Sequence, residues 1–108
     1  LASIEWQLVS IDGQPVPDGL KPPVVHFEVS SVRGYAGCNR FTAPVKETAP
    51  GELAIGPAAA TKMACPPAEM ELEQKFLGLF EKASRYTFVA GQLALTGKDG
   101  TGVLIFSK

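Results

Sequence analysis

The chain has 108 residues, 45% of them hydrophobic, enough to bury one core and too few to want a second, so a single domain over 1–108 is expected. Ten basic against eleven acidic residues leave a net charge of -1, with no basic block that could neutralise a row of phosphates, which argues against nucleic acid as a partner. No apolar run reaches the ~20 residues that cross a bilayer, so no transmembrane segment is expected; Leu1-Ala2-Ser3 lacks the charged start and apolar stretch of a signal peptide, and if the chain is cut from a longer precursor, a leader or lipid-bearing N-terminus would lie upstream.

Apolar and polar residues alternate through Ile4-Glu5-Trp6-Gln7-Leu8, and the phase slips at Leu8-Val9 before Ile11. That pattern predicts a half-buried strand carrying a bulge and stopped by Asp12-Gly13. Four prolines between Gln14 and Pro23 remove backbone donors and fix φ, so an extended surface connection without regular structure is expected there. Val25, Phe27 and Val29 share a strand face, Ser30-Ser31 makes a turn, and Val32 to Ala36 returns antiparallel and delivers the chain to Cys38. Further strands are expected at Phe41 to Val45 and Leu53 to Ile55, separated by a loop rich in Thr, Ala, Pro and Gly. A short segment then passes through Thr61-Lys62-Met63 to Cys65.

Pro66 and Pro67 suit the first turn of a helix, where a missing N–H costs nothing, and Glu69, Glu71 and Glu73 complement its positive end. Lys75 and Lys82 follow later. Leu72, Phe76, Leu79, Phe80 and Ala83 fall on one arc about 100° wide, which predicts a helix over about 67–83 packed on a sheet. Tyr86 to Val89, Leu93 to Thr96 and Val103 to Phe106 then form a meander with turns at Ala90-Gly91 and around Asp99-Gly100. The expected fold class is α+β: a strongly bent antiparallel sheet or partly open barrel of about seven or eight short strands, with one helix packed on it.

Cys38 and Cys65 are the only cysteines and enclose about 28 residues, across which a bridge would add about 3.5 kcal/mol. A disulfide and a pair of neighbouring buried thiols are both structural readings of this pair. A redox pair more usually forms Cys-x-x-Cys at a helix start, and one histidine with two cysteines is a poor zinc set, so no metal or other cofactor is expected. His26 faces away from Val25 and Phe27, and no serine carries the glycine pattern of a nucleophile elbow, so no catalytic residue is assigned. Glu73 borders the apolar arc, where a carboxylate needs a partner. Arg40, or hydrogen bonds from the Asn39 turn, would supply it, tying the helix to the cysteine loop. Gly37 and Asn39, which tolerate positive φ, suggest a tight corner at Cys38.

Gly37-Cys38-Asn39-Arg40-Phe41 and Thr61-Lys62-Met63-Ala64-Cys65, with Trp6, Leu8 and Gly13 before them, resemble the META/HslJ-like domain family of bacterial envelope proteins. Phe27, Gly34, Met70, Glu73, Phe76, Leu79, Tyr86, Leu93 and Leu95 continue the family's order over essentially the whole chain. Two departures are the Pro15 to Pro23 stretch and Thr42-Ala43-Pro44, where the family commonly has a glycine and an aromatic. The resemblance implies a small β-rich domain with one helix, exported to the periplasm or anchored at the outer membrane, and linked with heat shock or envelope stress. It carries no catalytic residue to transfer.

The expected function is therefore a non-enzymatic envelope protein, a stress-associated binding or structural module. A Cys38–Cys65 disulfide would staple it, and Gly37, Asn39, Arg40, Phe41, Thr61, Met63 and Glu73 would organise the corner. An alternative is a pilotin-like carrier or chaperone holding a lipid tail or partner peptide in an apolar groove beside Met70 and Leu77. A thiol-redox or hydrolytic enzyme is a minor alternative. The expected partner is an envelope protein or hydrophobic ligand, and the chain is expected to be a monomer.

Overall fold

The computed structural model describes residues 4–108. β1 (Glu5–Ile11) buries Trp6, Leu8 and Ile11, and the slip read at Leu8-Val9 is a real irregularity: its ladder with the last strand shifts register between Leu8 and Ser10. Asp12 and Gly13, at φ 50° and 82°, turn the chain into β2 (Gln14–Pro15), which pairs with Ser10 and Ile11. The proline stretch thus starts with a short hairpin arm where none was expected. Pro15 is tolerated because β2 has only β1 beside it, so a lost donor breaks no second ladder.

β3 (Val24–Phe27) and β4 (Ser31–Tyr35) form a hairpin where one was expected, but β3 ends at Phe27, Val29 lies exposed in the turn and Ser31 already opens β4; at Gly34 a Cβ would overlap the Val24 carbonyl, so only glycine lets the two strands close. β5 (Arg40–Ala49) runs further than expected. Its outer half pairs with β6 (Glu52–Ile55) across a turn at Gly51, and Pro44 and Val45 continue the strand through what composition suggested was its end. β7 (Ala59–Ala60) pairs with β5 at Phe41 and Thr42.

Helix α1 (Pro67–Phe80) begins with Pro67 in its first turn and Glu69 near its positive end. It stops three residues before the expected Ala83 and carries no basic residue in its last turn. Ala83 is buried, but as the first residue of β8 (Ala83–Val89), since an inward position on a strand and one on a helix stripe carry the same hydrophobic signal. β9 (Gln92–Gly97) and β10 (Leu104–Ser107) complete the meander, starting one residue after Val103.

Eight strands close into an antiparallel barrel in the order β1, β3, β4, β5, β6, β8, β9, β10 and back to β1, with β2 and β7 outside the ring. The class expected from sequence holds, with the barrel closed. Phe76 and Phe80 of α1 stack at 5.2 Å and meet Phe41, Phe27 and Phe106 at ring separations of 5.6–6.3 Å, so helix side chains fill the barrel. Each such buried aromatic contributes on the order of 2 kcal/mol of transfer free energy.

The weakest seam joins β6 to β8, where the ladder has the single pair Glu52 with Arg85, extended by the Tyr86 N–H donating to Gly51 at 2.9 Å. The Tyr86 hydroxyl donates to Glu47 Oε2 at 2.7 Å across this seam. That bond, with smaller contributions from burial and from the carboxylate's charge, raises the phenol's pKa above its ordinary value. A raised pKa means that the stabilisation is full below the unfolded phenol's ~10 and lost as pH rises through the folded value. Tyr86→Phe should cost about 0.5–1 kcal/mol near neutral pH, after allowing for the site's exposure. In denaturant titrations, the gap between the variant and the parent should close at strongly alkaline pH.

Candidate functional site

The most developed polar arrangement lies where β4 turns into β5. Tyr35 donates its hydroxyl to the Gly37 carbonyl at 2.8 Å, and Lys21 sits 4.7 Å above the Tyr35 ring. Gly37 has φ 128°, and a Cβ there would stand 3.1 Å from the Glu73 backbone nitrogen, so glycine lets this corner press against the helix. Cys38 follows, 3% exposed and bonded to Cys65, with their Cα atoms 6.0 Å apart. The bridge ties the corner to the residue before the Pro66-Pro67 helix entry.

Glu73 and Asn39 are the only buried polar or charged residues among those described, at 7% and 3% exposure. Glu73 Oε1 accepts the backbone N–H groups of Cys38 at 3.1 Å and Asn39 at 2.6 Å, while Oε2 accepts the Asn39 side-chain amide at 2.9 Å. Three donors converging on one carboxylate meet the need that its place beside the apolar arc creates. Arg40 takes no part. It is exposed, and the one ion pair among the described residues joins Arg33 to Glu28. A guanidinium on the exposed face of β5 cannot reach the buried side that its neighbour Asn39 occupies.

Asn39 is also the hub for the segment leading to Cys65. Its Oδ1 accepts from the Thr61 hydroxyl at 2.8 Å and the Met63 N–H at 2.7 Å, and its amide also reaches the Met63 carbonyl at 3.4 Å. Thr61 N–H bonds the Arg40 carbonyl, and Phe41, 2% exposed, points into the barrel. The Met63 side chain is 58% exposed, so this residue serves the corner through its backbone. Sequence reasoning grouped these residues but missed the Tyr35 hydroxyl bond and the double role of the Asn39 amide, because neither leaves a periodic signal.

Met70 and Leu77 are half-buried, and Leu77 packs against the core. Beyond them the Glu81 carboxylate accepts the Ala58 N–H at 2.6 Å, tying the chain before β7 to the helix end. Neither is among the residues that line the groove beside the Val16 to Leu20 strap. That groove, about 470 Å³, lies on another side of α1, between Ala68, Leu72, Glu71 and Lys75 and the strap formed by Val16, Pro17 and Leu20. The helical angle separates the two sides, and only contact with the strap reveals which is hollow. His26 is half-buried on β3, and no cluster of three potential metal ligands forms among the described residues. Among the described residues, no helix is long and apolar enough to cross a membrane.

A family model described as META domain matches residues 1–108. Two structures determined by NMR are similar in fold: one, 28% identical, has a TM-score of 0.74 with 99% of this chain and 90% of that one covered. Another, from Burkholderia xenovorans, is 24% identical with a TM-score of 0.77, covering 99% of this chain and 82% of its own. No curated protein matches this chain.

Proposed function

The chain belongs to the META domain family, and from that premise we propose that it is a non-enzymatic envelope protein, an exported and stress-associated binding or structural module of the periplasm or outer membrane. The observation that carries this reading is the Cys38–Cys65 disulfide. Such bridges persist in oxidising compartments and are rare where glutathione keeps thiols reduced. The corner chemistry points the same way. The oxygens of Glu73 and the amide of Asn39 are committed to backbone and side-chain hydrogen bonds that hold three segments together, which favours a structural role over a reactive one.

Native mass spectrometry of the protein recovered from its envelope extract tests this, combined with alkylation before and after reduction. The expected species is two hydrogens lighter than the reduced chain and resists alkylation until reduced. Two thiols alkylated in the untreated protein would remove the support for an oxidising compartment and reopen the thiol-redox alternative. A second reading, a pilotin-like carrier of a lipid tail or partner peptide, is favoured by the groove between the Val16 to Leu20 strap and α1. A lipid-sized adduct in the same spectrum would move the assignment to it.

A further inference from the structure

β5 outruns β4. Their ladder ends with Pro44 opposite Ser31, followed by the Val45 N–H donating to the Ser30 carbonyl at 3.0 Å, so from Lys46 to Ala49 the strand has only β6 beside it. β6 in turn meets β8 at the single pair Glu52 with Arg85, next to the Tyr86 to Gly51 bond. Every other joint of the ring has three or more pairs. Residues 46–54 are thus a two-stranded arm standing out from the barrel wall, and a hairpin of two strands is marginal on its own. Leu53, 3% exposed, is the one residue of the arm that is buried.

The feet of the arm are held better than its tip. Gly56 donates its N–H to the Pro44 carbonyl at 2.9 Å, and a Cβ on Gly56 would stand 2.5 Å from Pro44 Cγ, so the two feet press together. Two residues on, the Ala58 to Glu81 bond fixes the chain to the helix end. At the seam itself β8 is irregular: its register against β9 slips between Ala83 and Arg85, and the Ser84 hydroxyl between them is buried with no partner among the described residues. A buried hydroxyl without a partner has lost hydration that water would restore, which favours opening where the ladder is thinnest. Glu52 and Arg85 face each other in register without an ion pair, so the side-chain link across the seam is the Tyr86 hydroxyl on the exposed Glu47.

We propose that residues 46–54 form a hinged flap, the moving wall of an otherwise closed barrel, which swings away from β8 about Pro44–Val45 and Gly56 while the rest of the fold stays intact. Tyr86 and Glu47 are its latch. Opening breaks one strand pair, the Tyr86 to Gly51 bond and the latch, and it uncovers Leu53. The Glu73 corner, the disulfide and the β1–β10 closure lie outside the moving part, so the motion costs far less than unfolding. The flap goes beyond the envelope reading and stands whether or not that reading does.

Native-state hydrogen exchange tests it on the parent protein. After correction for intrinsic rates, the Tyr86 amide should exchange about 100-fold faster than the Leu8 amide, which donates to the Pro23 carbonyl at 2.9 Å. The Gly56 amide at the hinge should follow Leu8. In low urea the Tyr86 rate should stay nearly flat while the Leu8 rate climbs, because a flap exposes little surface and global unfolding exposes all of it. A second measurement uses Leu53→Cys, which gives the oxidised protein a lone free thiol. That thiol should be alkylated about 100-fold faster than the one in Leu104→Cys, at a site 0% exposed on β10. Tyr86 and Leu8 amides that exchange together with one urea slope, or two thiols alkylated at the same rate, would mean that the arm leaves only on global unfolding, and would overturn the flap. Fast Tyr86 exchange beside a protected Leu53→Cys thiol would overturn it too, reducing the motion to the fraying of one bond.

Discussion

Replacing Cys38 and Cys65 together by alanine should lower stability by about 3.5 kcal/mol and the melting temperature by roughly 15 °C. The bridge joins positions 27 apart in sequence and encloses β5, β6 and β7. In the unfolded chain it removes the closure entropy of that loop; in the folded one it anchors an otherwise irregular run, Thr61 to Pro66, that has no ladder of its own. The loss is large beside the 5–15 kcal/mol that holds a typical domain. Calorimetry of the oxidised parent, the reduced parent and the double variant measures it. If the melting temperature falls by less than about 5 °C, the hydrogen bonds of Asn39 and Glu73 hold the corner without the bridge.

Glu73→Ala should cost about 4 kcal/mol and Glu73→Gln about 2 kcal/mol. Alanine leaves the N–H groups of Cys38 and Asn39 without an acceptor in a buried place and takes from the Asn39 amide its shorter bond, leaving it only the Met63 carbonyl. Glutamine keeps one oxygen for the two backbone donors but sets its own NH₂ against the Asn39 amide, donor facing donor. Flipping Asn39 would relieve that clash only by turning its amide toward the Thr61 hydroxyl and the Met63 N–H, which now donate to its oxygen. Urea denaturation should therefore order the proteins parent, glutamine, alanine. A glutamine variant as stable as the parent would contradict the account of the corner. Because Glu73 bonds the Cys38 backbone directly, losses from removing bridge and carboxylate should not add, and a double-mutant cycle should return a coupling on the order of 1 kcal/mol.

Much of this corner was legible in the chain. A carboxylate at the margin of a helix stripe demands a partner, and a glycine and asparagine around a cysteine announce a turn, so Glu73 and Asn39 could be paired before any coordinates. The choice of Asn39 over Arg40 could not, because charge favours the arginine in sequence and only the strand's facing direction removes it. The bulge at Val9 was readable from a broken alternation, and the helix start from Pro66-Pro67. Its end was not, since Ala83 satisfies the helical and the strand period alike. Met70 and Leu77 lie away from the groove beside the Val16 to Leu20 strap for a related reason: a helical angle says which side is less buried, whereas a hollow depends on what packs opposite.

By itself, then, the sequence determined the longer elements and their inward faces, though not β2, β7, the reach of β5 or the end of α1, and it grouped Cys38, Asn39, Glu73 and Cys65, because alternation, turn chemistry and capping act between residues close in the chain. Tertiary structure alone decided that the barrel closes by pairing β1 with β10, that Phe76 and Phe80 fill it, and that the tip of β8 is left unpaired. Those outcomes depend on register between residues as distant as Gln7 and Ser107, and on how far one hairpin outruns its neighbour. No local pattern encodes such offsets, since the same alternation fits every register shifted by two.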